Sequence, residues 1–77
     1  MTFGDALKAA RKAAKLSQTQ LAEAVGVRQS SIAQVETGKR SGLEADTVFA
    51  LEKTMRLRAG ELVQHLPPDH PAHLKVK

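Results

Sequence analysis

Apolar residues at Phe3, Leu7, Ala10 and Ala14 recur at steps of four, three and four, which draws one stripe down a helix. Lys8, Arg11, Lys12 and Lys15 fall mostly off that stripe, giving the helix a basic, solvated face. Thr2 followed by Asp5 has the form of a capping box, so the spacing predicts a first helix over about 3–15. The clearest start signal is Ser17-Gln18-Thr19-Gln20, a Ser-x-x-Gln box. Leu21, Ala22 and Val25 then point inward, and Gly26 stands where a left-handed residue ends a helix predicted over 18–25. After Val27-Arg28, Ile32 and Val35 resume the spacing for a third helix, 29–36, which stops at Thr37-Gly38. Helices this short are marginal alone and must be held by packing.

Lys39-Arg40-Ser41-Gly42 is a polar loop with turn residues. Leu43, Val48, Leu51 and Met55, with Phe49 beside them, predict a fourth helix over 44–55. Leu57 anchors a connector, and Leu62, Val63 and Leu66 predict a fifth helix over 59–66, ended by Pro67-Pro68. Residues 67–77 form a proline-containing tail with little to bury, either free or contributing to dimerisation. Leu74-Lys75-Val76-Lys77 alternates apolar with charged and would be a strand only if something pairs with it. The expected fold class is therefore all-α: a five-helix domain over 1–66 and a tail over 67–77.

A chain of 77 residues holds one domain. The absence of cysteine removes disulfides, thiolate metal sites and cysteine nucleophiles, and leans toward a cytoplasmic protein. No apolar run approaches the roughly 18 residues of a membrane span, and the N-terminus carries no signal-peptide apolar region. The net charge is +4, and all of the excess lies in the first half. Residues 1–40 hold seven basic against three acidic side chains, whereas 41–77 hold five of each. Such an excess favours polyanionic partners. His65, His70 and His73 straddle a double proline with no carboxylate arrangement to complete a site, so no metal is expected. Nothing has the form of a catalytic triad, a nucleotide loop or a paired-carboxylate cleft, so neither an enzyme nor a cofactor is expected.

The run Gln18-Thr19-Gln20-Leu21-Ala22-Glu23-Ala24-Val25-Gly26-Val27, continued by Arg28-Gln29-Ser30-Ser31-Ile32-Ala33-Gln34-Val35-Glu36-Thr37-Gly38, resembles the helix-turn-helix of the phage repressor and Cro-like family. One helix before the motif and two after it extend the likeness over about residues 3–66. The resemblance implies a lambda-repressor-like DNA-binding domain whose second motif helix enters the major groove of double-stranded DNA. Arg28, Gln29, Ser30 and Gln34 would then read bases, a glutamine amide being able to pair with both N6 and N7 of adenine. The resemblance assigns Gln18 to a DNA phosphate, and Lys39 and Arg40 in the following loop are further phosphate candidates. It also pairs Arg11 with Glu36 in a structural, partly buried ion pair. Three positions depart from the family pattern. Arg28 stands where Ser or Thr usually caps the third helix; Glu52 replaces a small apolar residue; and the loop 38–46 is longer and lacks a proline.

One recognition helix reads only a few base pairs, so a homodimer is expected. Leu57, Leu62, Val63 and Leu66 are the candidate interface. The expected function is a transcriptional regulator, a repressor, that is cytoplasmic and nucleoid-associated through DNA. The alternatives are an antitoxin-type regulator that also binds a small protein partner, and a protein-binding adaptor of the same fold. An RNA-binding module is weaker, for want of aromatic residues to stack on bases.

Overall fold

The computed structural model describes residues 2–75. Four helices, α1 (Phe3–Ala13), α2 (Gln18–Val25), α3 (Gln29–Glu36) and α4 (Ala45–Thr54), are followed by a single 3-10 turn at Val63–His65 and a short α5 (Ala72–Lys75). Both predicted capping boxes form. The Thr2 hydroxyl accepts the Asp5 N–H at 3.1 Å, while the Asp5 carboxylate accepts the Thr2 N–H at 3.2 Å. That bond to the Thr2 backbone holds the Asp5 carboxyl below its ordinary range. Ser17 and Gln20 repeat the exchange at 3.0 and 2.9 Å.

The first four helices end alike. A left-handed residue and its successor both donate back into the last turn, satisfying carbonyls the helix leaves open. The left-handed residues are Lys15, Gly26, Gly38 and Arg56, with φ of 60°, 75°, 85° and 57°. Their successors Leu16, Val27, Lys39 and Leu57 bond to the carbonyls of Arg11, Ala22, Gln34 and Glu52 at 3.1, 2.9, 2.9 and 2.8 Å. An apolar successor normally seals such an ending, and Leu16, Val27 and Leu57 do pack against the core. After α3 the successor is the exposed Lys39.

The core is one cluster. Phe3 and Leu7 of α1, Leu21 of α2, Ile32 and Val35 of α3, and Val48 and Leu51 of α4 are all essentially closed to solvent. At Gly4, α1 passes so close to the end of α3 that a Cβ would run into the carbonyl oxygen of Val35. Any side chain there would force the two helices apart.

The sequence expectation is corrected at four places. The first helix ends at Ala13, because Lys15 takes the left-handed conformation that glycine usually marks. The fourth is shorter by a residue at each end. The helix predicted over 59–66 is replaced by the 3-10 turn. The carboxylate of Glu52, only 3% exposed, accepts the N–H groups of Leu62 and Val63 at 2.8 and 3.4 Å. Amides bonded to a side chain of α4 are not available to a helix of their own. The tail also buries more than expected. Ala72 is fully enclosed in the core, and Leu74 and Lys75 belong to α5 rather than to a strand. Val76 and Lys77, the rest of that predicted strand, lie outside the described residues.

Leu62, Val63 and Leu66, proposed from the sequence as interface residues, lie inside the single chain at 2–5% exposure. Their side chains are committed to the domain's own core, and Leu57 is half-buried against it. Leu62, Val63 and Leu66 therefore offer almost no surface to a second copy, whereas Leu57 keeps part of its side chain exposed.

Candidate nucleic-acid interface

α3 buries Ile32 and Val35 completely and presents Gln29, Ser30 and Gln34 to solvent, with Arg28 at its entrance. The division follows from the helical repeat, since residues three apart share a face. Arg28 makes no side-chain cap, as its guanidinium has no acceptor to offer. It is left exposed at the start of the helix. All four candidate base-reading residues thus share the outer side of one short helix.

Beneath them runs a chain of charge-assisted and amide bonds. The Arg11 guanidinium meets the Glu36 carboxylate through two bonds, of 2.7 and 3.0 Å, and donates a third to the Leu16 carbonyl at 2.9 Å. The two side chains are 11% and 2% exposed. Burial alone would push the Glu36 carboxyl up, but the bonds from Arg11 and Gln18 outweigh it and hold it below its ordinary value. The same contact with Glu36 raises Arg11. The ion pair implied by the family resemblance is therefore present and largely buried.

Gln18 extends this chain. Its Nε2 donates to Glu36 Oε1 at 3.0 Å, and its Oε1 accepts from Gln29 Nε2 at 2.6 Å. A carboxylate can only accept, so the Gln18 amide must turn its NH2 group toward Glu36. Its oxygen then faces Gln29, which must also turn its NH2 group inward. The orientation of the outermost glutamine is dictated by a carboxylate buried two residues away along the chain of bonds. Gln18 sits at the first turn of α2, half-buried, beside the free N–H groups of that helix end. Its link to Glu36 and Gln29 was not apparent from the sequence, where helical spacing connects only residues on the same element.

Lys39 and Arg40 are exposed just beyond α3. Both of their N–H groups donate to the Gln34 carbonyl, at 2.9 and 3.2 Å. This ties the two basic residues to the same helix as the candidate base-reading row. Lys39 occupies the position where the other three helices place an apolar residue, so its side chain is free of the core. Two of the three histidines bond to backbone carbonyls: His70 Nε2 meets that of Leu43 at 2.6 Å and His73 Nε2 that of Leu66 at 3.3 Å. Among the described residues, no helix is long and apolar enough to cross a membrane.

Comparison with known proteins agrees with this arrangement. The model of a helix-turn-helix family matches residues 7–62. No curated protein matches the chain. Among solved structures, the chain is similar to the restriction-modification controller protein C.AhdI from Aeromonas hydrophila. The two share 32% identity with a TM-score of 0.70, over 78% of this chain and 89% of that one. The match spans the motif, its flanking helices and the buried ion pair, and the chain belongs to the Cro/C1-type helix-turn-helix family of DNA-binding regulators.

Proposed function

We propose that the protein is a transcriptional repressor that binds a pseudo-palindromic operator as a homodimer, with α3 of each copy in the major groove. The observation that carries this is the Gln29 amide, exposed on the outer face of α3 and held in one orientation by Gln18 and Glu36. A glutamine free to rotate would lose entropy on reading a base; a fixed one presents its remaining donor and acceptor in a set geometry. Lys39 and Arg40 supply backbone contacts that position the helix without reading sequence. The likeness to a restriction-modification controller supports a regulator over a protein-binding adaptor.

One eight-residue helix covers too few base pairs for selective binding, so two copies are needed. With Leu62, Val63 and Leu66 interior, the apolar side chains open to a second copy among the described residues include Leu74, 90% exposed, and the half-buried Leu57. Selection of bound sequences from random duplex DNA tests the proposal. A two-fold repeat with half-site centres about 34 Å apart is expected. A single unrepeated box would remove the dimer, and the absence of any enriched sequence would remove the base reading.

A further inference from the structure

The loop between α3 and α4 carries Lys39 and Arg40, yet it has neither a helix nor a strand of its own. Its first anchor is the Gln34 carbonyl, which accepts from both basic residues. Its second anchor is Leu43, whose side chain is buried in the core and whose carbonyl is held by the tail. His70 Nε2 bonds to the Leu43 carbonyl at 2.6 Å, and His70 Nδ1 accepts the Ala72 N–H at 3.0 Å. Because Nδ1 accepts, Nε2 carries the proton and donates, so one ring ties the loop to α5. Next to this bond the backbone of Gly42 is pressed against Leu66, just before the tail, and touches His70: a Cβ there would sit 2.6 Å from Leu66 Cδ2 and 3.8 Å from His70 Cδ2. Ala72, wholly buried, seats the tail in the core. Pro67, Pro68 and Pro71 restrict the tail before it docks, which lowers the entropy lost on docking.

We propose that residues 67–75 are a clasp on this loop, and that His70 is a positioning residue for the phosphate contacts of Lys39 and Arg40. The inference rests on the DNA-binding function proposed above. Lys39 and Arg40 are strung between two fixed points, so their backbone is ordered before any phosphate arrives. Freeing the far end would leave that ordering to be done on binding, a loss on the order of tenfold in affinity for each residue released.

The test uses the full chain and a mixed-sequence duplex DNA, titrated over a range of salt concentrations. His70→Ala is expected to remain helical and to bind about tenfold more weakly at equal folded fraction. Its salt slope should stay close to the parent's, because both basic contacts still form once the loop has been ordered. His70→Gln should restore binding, because its Nε2 lies the same number of bonds from the backbone and can donate to the Leu43 carbonyl. In a Lys39→Ala, Arg40→Ala background, His70→Ala should cost nothing more. Should His70→Ala fail to fold, amide exchange in the DNA-free parent protein decides: the Ala72 amide, which donates to His70 Nδ1, should already be protected, and exchange as fast as at an unbonded, exposed amide would overturn the clasp. A parent that binds DNA with His70→Ala matching it in affinity would also overturn the clasp, as would losses that simply add to those of Lys39→Ala and Arg40→Ala. A parent that does not bind duplex DNA would overturn the DNA-binding function and the clasp's role with it.

Discussion

Gln29 donates its side-chain amide to Gln18 at 2.6 Å, across the turn that joins the two helices of the motif. Gln18 in turn donates to the carboxylate of Glu36. One buried charge thus determines which way an exposed glutamine faces, and the proposed base reader is tied to the residue pair that stabilises the fold.

Gln18→Met removes this link while keeping the length of the side chain. Glu36 keeps both bonds from Arg11, so the fold should lose only about 1 kcal/mol. Discrimination at the base facing Gln29 should weaken by a similar amount. Thermal melting and competition between operator variants measure the two losses. Unchanged discrimination would mean that Gln18 does not orient Gln29.

Glu36→Ala strands the Arg11 guanidinium, and breaking such a buried pair costs about 3–5 kcal/mol. That is a large share of the stability of a domain this size. Arg11→Met combined with Glu36→Leu should be much milder than the sum of the single changes, because neither charge is left alone. Far-ultraviolet dichroism can follow the melting, since the chain has no Trp or Tyr. Single variants that melt within about a degree of the parent would contradict a stabilising pair.

The same pair sets a dependence on acidity. The Glu36 carboxyl titrates below its ordinary value of 4.5 in the folded chain. Its contribution to stability is therefore complete above that value and is lost as the pH falls through the lowered one. Melting temperatures taken down through the acid range should drop less steeply for the Arg11→Met, Glu36→Leu variant than for the parent.

Glu52→Ala leaves the buried amides of Leu62 and Val63 without an acceptor, at about 1–3 kcal/mol for each unsatisfied group. Glu52→Gln keeps one carbonyl oxygen for them and should be milder. Equal melting temperatures for the two variants would show that the carboxylate does not hold this segment.

The two motif helices were legible to the residue because their ends are written locally: Ser17 and Gln20 at one start, Gly26 and Gly38 at the stops. The end of α1 was not, since Lys15 adopts a left-handed conformation without glycine to announce it. The segment 59–66 has helical leucine spacing, but its amides are taken by Glu52, ten residues earlier, a contact that periodicity does not register. The docking of the tail is hidden from periodicity for the same reason. Its proline content is visible in sequence, whereas the bond from His70 to Leu43 spans 27 residues. In the candidate site, the exposed row of α3 follows from spacing. The ion pair came only from the family resemblance, and the glutamine link only from the fold.

Gln29 provides the most direct measurement of the central claim, that α3 reads bases. Binding sites are selected from random duplex DNA with the parent and with Gln29→Ala, and the two sets of preferences are compared position by position. The variant should bind its best site about 1–3 kcal/mol more weakly and lose its preference at one position in each half-site, with the other positions retained. Lys39→Ala, selected in parallel, should weaken all sequences alike and flatten the salt slope by about one unit. If Gln29→Ala keeps every preference of the parent, or weakens all sequences equally as Lys39→Ala does, then α3 does not read DNA through this residue.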